Sequence, residues 1–172
     1  MLKLMFLLMI FIISSYLGFI YGETFKKRHD QLKEILKALS ILEGEIMYGS
    51  TPLPEALDNI RFKVRDPLSK VIKGVKDKLI CGNVESVYEG FIEEFSVLED
   101  EFYFNESDKR ILGDFFKSLG DSGVYGQGKI FALAIEGIKL NIEEANDIAK
   151  RNTKLYRYLG ICFGAMVTIF LI

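Results

Sequence analysis

The chain of 172 residues has a single histidine, His29, no tryptophan, two cysteines and three prolines. One histidine excludes any catalytic or metal site that needs two. Two cysteines build neither a disulfide scaffold nor a cysteine zinc site. With 22 basic and 24 acidic residues the formal net charge is −2, without the basic surplus of a nucleic-acid binder. Strand signals are nearly missing, so a sheet-based fold is disfavoured. What is abundant is apolar residues, 49% of the chain beside 27% charged residues, with a mean hydropathy of +0.19. That mixture requires segregation, and the apolar residues concentrate at the two ends.

Residues 4–22 hold 19 positions without a charge. As a helix they would span about 28 Å, close to the ~30 Å hydrocarbon core of a bilayer. Tyr16 and Tyr21 lie toward one end, where aromatic rings favour the headgroup level. The rival reading, a cleaved secretory signal, fits poorly. A cut after Gly22 leaves Ile20 where a small residue is required. Residues 158–172 form a second apolar run of 15 residues. Leu155 and Tyr156 extend it if Arg157 snorkels. The alternative is a buried helix of a water-soluble domain, against which the terminal GAMVTIFLI offers no polar face. The expected division is therefore a transmembrane helix over 1–22, a cytosolic helical bundle over 23–154 and a transmembrane helix over 155–172.

Flanking charge sets the orientation. Lys26, Lys27, Arg28, Lys33 and Lys37 follow the first run, and Lys139, Lys150, Arg151, Lys154 and Arg157 precede or enter the second. Beyond the spans stand only Lys3 and the amino terminus. The positive-inside rule places the middle in the cytoplasm, where Cys81 stays reduced. There the sequon Asn105-Glu106-Ser107 is a chance match. Gly18 with Gly22, and Gly160 with Gly164, form small-xxx-small patterns. Either the spans pack through them, on each other or on a partner, or the spacing is coincidence.

The middle reads as about six helices. Leu32, Ile35, Leu36, Leu39, Leu42 and Ile46 form one stripe on a helix that no proline separates from the first span. That helix is expected to stop near Gly49. Thr51 is expected as the next N-cap, with Pro52 in the first helical position and Glu55 in the first turn. Asp66-Pro67 repeats the start signal, and Gly82 offers a C-cap. Asn83 is expected to cap a helix through Val87, Phe91 and Phe95. Ser107 or Asp108 opens another through Ile111, Leu112, Phe115 and Phe116. After a loop over 120–128 the last helix passes Leu133, Gly137, Leu140 and Ile148. Short connections favour antiparallel neighbours, hence an all-α antiparallel bundle.

Chemistry is sparse. Gly123-Val124-Tyr125-Gly126-Gln127-Gly128-Lys129 fits G-x-x-x-x-G-K, but Ile130 stands where a P-loop needs Ser or Thr, and the preceding stretch is helical rather than a strand. A nucleotide-dependent, membrane-anchored motor or regulator built on this loop is the alternative reading. Residues 61–78 contain seven basic and two acidic residues, and 93–108 contain seven acidic and no basic ones. These clusters pair with each other, face partners, or are solvated faces. Glu43 lies close to the apolar stripe, where a carboxylate needs a partner; a hydroxyl or amide around Tyr48 and Thr51 would serve, unless the group is half-exposed. No metal or cofactor is called for. The residues selected for partner binding are Glu43, Glu45, Tyr48, Thr51, Pro52 and Pro54, with Gly18, Gly22, Gly160 and Gly164 for membrane helix packing.

The run LSILEGEIMYGSTPLPEAL, from Leu39 to Leu57, resembles the signature of the stage III sporulation protein AB family of endospore-forming bacteria. Upstream, Arg28, Gln31, Leu32, Leu36 and Ala38 continue the likeness. So do Leu119-Gly120, Gln127, Ala145, Asn152, Tyr156 and Leu159-Gly160 downstream. Residues 62–118 resemble the family much less. The resemblance implies a non-enzymatic component of the channel apparatus linking mother cell and forespore, held in the mother-cell membrane around the forespore. Its helical part is similar to cytoplasmic domains of type II secretion and type IV pilus platform proteins. Such platforms couple a cytoplasmic secretion ATPase to an envelope channel. The implied partners are that ATPase, other channel subunits and the membrane.

Overall fold

The computed structural model describes residues 2–121 and 124–171, with side chains described throughout 23–119 and 126–156 and at scattered positions beyond. Six α-helices follow one another: α1 Leu2–Glu43, α2 Leu53–Arg61, α3 Leu68–Cys81, α4 Val87–Val97, α5 Glu106–Asp121 and α6 Val124–Leu171. A π-helical turn, Gly44–Tyr48, ends the first, and a short 3₁₀ turn, Glu99–Glu101, follows the fourth. Among the described residues there is no strand, so the chain is all-α. The two apolar runs are the outer ends of α1 and α6 rather than separate helices. Two compact units result: Met1–His29 with Glu143–Ile172, and Asp30–Ile142. Among the described residues, no helix is long and apolar enough to cross a membrane.

In the unit Asp30–Ile142, α2 packs on α3, α3 on α4 and α4 on α5. Connections of a few residues leave sequence neighbours little choice but to pair. The α1 stripe is buried at Leu32, Ile35, Leu39 and Leu42. It meets Leu57, Ile72, Phe91 and Leu112 around a central void of about 30 Å³ lined only by apolar side chains. That is room for about one water, far below the 300 Å³ or more of a ligand pocket, so this void holds no small-molecule regulator. Phe91 stacks on Phe116 with ring centroids 4.2 Å apart, and Phe131 meets Phe115 edge-on at 5.1 Å. Gln31 of α1 spans the α4–α5 connection, donating to the Glu101 carbonyl and accepting from the Tyr103 N–H, both at 2.8 Å.

Several helix ends differ from expectation. The Asn83 N–H bonds the Lys78 carbonyl at 3.0 Å and the Gly82 N–H bonds that of Leu79 at 3.3 Å. Asn83 therefore closes α3 in a Schellman motif, which needs the left-handed φ of 67° that Gly82 supplies. Ser86 caps α4 instead, accepting from the Glu89 N–H at 3.1 Å while Glu89 accepts from the Glu85 N–H at 2.8 Å. Pro67 precedes α3 with no side-chain cap, and Asp66 pairs with Lys70 at 3.7 Å. At the start of α5, Asn105 and Asp108 exchange backbone-to-side-chain bonds of 2.9 Å. The sequon asparagine is thus a helix cap. Asp108, fully buried, also accepts from the Asn141 amide of α6 at 2.7 Å.

The supposed loop over 120–128 is mostly helix, because α5 runs to Asp121 and α6 starts at Val124. The buried face of α6 in this unit is Phe131, Ala134, Ile138 and Asn141, whereas Leu133 and Leu140 face solvent. Alanines allow close helix approach there, so the larger leucines fall outside the seam.

Candidate functional site

The corner between α1 and α2 is built from inside. The Gly49 N–H bonds the Gly44 carbonyl at 3.1 Å, the i to i+5 pattern of a π turn. Ser50 then takes a left-handed φ of 51°, which reverses the chain. Glu45 clamps the far side twice: its carbonyl accepts from the Thr51 N–H at 3.0 Å, and its carboxylate from the Thr51 hydroxyl at 2.9 Å. Gly49 is needed between them, since a Cβ there would stand 2.7 Å from the Glu45 carbonyl oxygen. Pro52 rather than Thr51 sits at the N-cap of α2, its carbonyl accepting from the Ala56 N–H at 2.9 Å. Thr51 is spent on the clamp. The acidic group that takes the hydroxyl is Glu45, while Glu43 is half-buried.

Tyr48 projects from this corner at 88% exposure. Pro52 is exposed and Pro54 half-buried. Residues 38–60 carry four acidic side chains, Glu43, Glu45, Glu55 and Asp58, and no basic one. Beside the corner lies an open cleft of about 440 Å³, with Ile46, Thr51, Leu53, Leu79, Val87 and Gln127 in its walls. Sequence reasoning brought together Glu45, Thr51, Tyr48 and the prolines but missed the cleft. Its walls come from separate segments that share no sequence pattern. The surroundings of Gly18, Gly22, Gly160 and Gly164 fall outside the described side chains.

The two charge clusters are largely spent on internal pairs. Lys78 lies 2.7 Å from Glu93 and 2.8 Å from Glu94, and Lys70 lies 3.5 Å from Glu101. The Glu93 and then the Glu94 hydrogen bonds hold the Lys78 ammonium above its ordinary pKa. Lys76 bonds Asp58 at 2.9 Å, and this bond, joined by that of Arg61, holds the Asp58 carboxyl below its ordinary value.

The nucleotide-binding reading is corrected here. Val124 through Lys129 are α-helical and the element before them is the helix α5, whereas a P-loop connects a buried strand to a helix. Gly123 lies outside the described residues. Among the described residues no group of three His, Cys, Asp or Glu is placed to hold a metal ion.

Comparison with known proteins matches residues 3–172 to the stage III sporulation protein AB family. Stage III sporulation protein AB of Bacillus subtilis (strain 168) is 27% identical over 171 residues, which is 99% of each chain. A solved structure of a stage III sporulation protein AB superposes with a TM-score of 0.66 at 27% identity, covering 72% of this chain and 96% of the other. Neither name carries an enzymatic activity.

Proposed function

The chain belongs to the stage III sporulation protein AB family, and from that premise we propose that it is a membrane-anchored, non-enzymatic assembly protein of the mother cell–forespore channel. Its two apolar ends cross the mother-cell membrane around the forespore, and its bundle faces the cytoplasm. The corner from Glu43 to Pro54 docks a secretion-type ATPase, and the spans contact other channel subunits.

Anchoring is supported by the surface of the unit Met1–His29 with Glu143–Ile172. Tyr16 is 64% exposed, Phe163 60% and Ile169 74%, with Met9, Ile12, Leu159 and Met166 also exposed. Exposed apolar residues in such number need a cover, and lipid supplies one. The observation that carries the docking reading is Tyr48, held out at 88% exposure by a turn clamped on its inner side. Exposed tyrosine is favoured at protein interfaces, and the surrounding carboxylates select a basic partner surface.

The Tyr48→Ala variant separates the possibilities. Loss of ATPase pull-down with an unchanged melting curve supports docking; retained pull-down refutes it. Orientation is checked at the exposed Cys81. An impermeant thiol reagent added outside intact mother cells leaves it unlabelled, and labelling overturns the cytoplasmic placement.

A further inference from the structure

Within the unit Met1–His29 with Glu143–Ile172, α6 is fixed in rotation. Phe25 of α1 stacks on Tyr156 with ring centroids 5.5 Å apart, and Ala145, Ala149 and Thr153 are buried. Those positions recur every four residues and mark one side of the helix. At ~100° per residue the opposite side presents Lys150, Arg151, Lys154 and Tyr158 together. All four are exposed, Tyr158 at 69%.

The cations of the two helices differ in their partners. On α1, the Lys26 ammonium lies 2.8 Å from Glu23, and the Arg28 guanidinium 3.2 Å from Glu144 of α6. Lys150, Arg151 and Lys154 have no ion-pair partner among the described residues. Asp147, exposed one turn back, leaves Arg151 unpaired. From residue 148 to 172 there is no acidic residue. Immediately beyond the three cations begins the exposed apolar surface of Leu155, Leu159 and Phe163. Three free cations, a tyrosine ring and then bare hydrocarbon is the order of groups met on entering a bilayer through an anionic headgroup layer.

We propose that Lys150, Arg151 and Lys154 on the outer face of α6 form a site for the phosphate groups of anionic phospholipids, with Tyr158 at the headgroup level. This rests on the membrane anchoring proposed above and names the lipid class that the anchor selects. Arg151 offers a two-pronged donor to phosphate oxygens, and the two lysines offer mobile point charges. An acidic protein is the competing occupant. Lipid is favoured because residues 158–172 of the same helix carry no charge and Leu159 and Phe163 among them are exposed.

The chain has no tryptophan, so Tyr158→Trp creates a reporter free of background. The full chain carrying it is reconstituted into phosphatidylcholine bilayers that contain either brominated phosphatidylglycerol or brominated phosphatidylcholine as quencher. Quenching by the brominated phosphatidylglycerol is expected to indicate several-fold tighter association, up to about fivefold for each cation at the surface. High salt is expected to reduce this preference. Combined Lys150→Gln, Arg151→Gln and Lys154→Gln removes it, while Lys26→Gln leaves it intact. Equal quenching by the two lipids overturns the phosphate site, leaves the anchoring reading standing and assigns the cations to an acidic protein. A preference that survives the triple substitution also overturns the site. Absence of quenching by either lipid overturns the anchoring itself.

Discussion

Replacing Asp108 by alanine removes two hydrogen bonds at once. Its carboxylate receives the Asn105 N–H at 2.9 Å and the Asn141 amide at 2.7 Å, and its own N–H closes the reciprocal cap with Asn105. The backbone part of that cap survives the substitution, but the side-chain part does not. Each lost hydrogen bond to a carboxylate costs about 1.5–3 kcal/mol, and the buried Asn141 amide keeps only its longer bond, 3.3 Å, to the Ser107 hydroxyl. Non-additivity within one network brings the sum to about 3–5 kcal/mol. Against a stability of about 5–15 kcal/mol this is a large fraction. With a urea slope of about 2 kcal/mol per molar, the unfolding midpoint of the full chain in mild detergent should fall by about 2 M. The companion variant Asn141→Ala should be less costly in the Asp108→Ala background than alone, because the coupling is already lost. A shift below about 1 kcal/mol, or strict additivity of the two, would refute the view that this buried pair ties α5 to α6.

Gly49→Ala should cost about 1–3 kcal/mol, because its methyl group meets the Glu45 carbonyl; thermal melting that matches the parent would remove the steric argument. Phe131→Ala, at a fully buried position, should cost about 3–5 kcal/mol in the same measurement. The Asp58 carboxyl is held below its ordinary pKa of 3.8, first by Lys76. Its contribution is present above that value and is lost as pH falls through the folded-state pKa. Asp58→Asn should therefore flatten the acid limb of the stability profile, and an unaltered limb contradicts the pairing. Lys78 behaves oppositely. Raised by Glu93 and Glu94 above 10.5, it stabilises fully below that value and loses its effect as pH climbs through the folded-state pKa. A titration of the melting temperature for Lys78→Gln against the parent reads this out.

The helical architecture was legible because periodicity reports burial directly. Leu32, Ile35, Leu39 and Leu42 are spaced as one stripe and are buried as one stripe. On α6 side-chain size does not mark the buried face: Leu133 and Leu140 are exposed while Ala134 is buried with Phe131. Helix starts were the least legible. Thr51, Asn83 and Asp108 all carry capping chemistry, yet a hydrogen-bonding side chain fits several local roles, and tertiary position decides among them. Thr51 goes to Glu45, Asn83 ends a helix, and Asp108 takes the N3 side of a cap whose Asn105 was read only as a sequon. The corner itself was visible as a dense motif. Its neighbouring cleft was not, since Leu79, Val87 and Gln127 are far apart along the chain and share no pattern.

The inward-facing clamp of Glu45, Gly49 and Thr51 relieves the outward side chains of the corner from holding the turn. Drift at Tyr48 and Pro52 is then governed by whoever sits opposite. Across related chains, substitutions at these two positions should track changes in a second gene product, while the three clamp residues change only together or not at all.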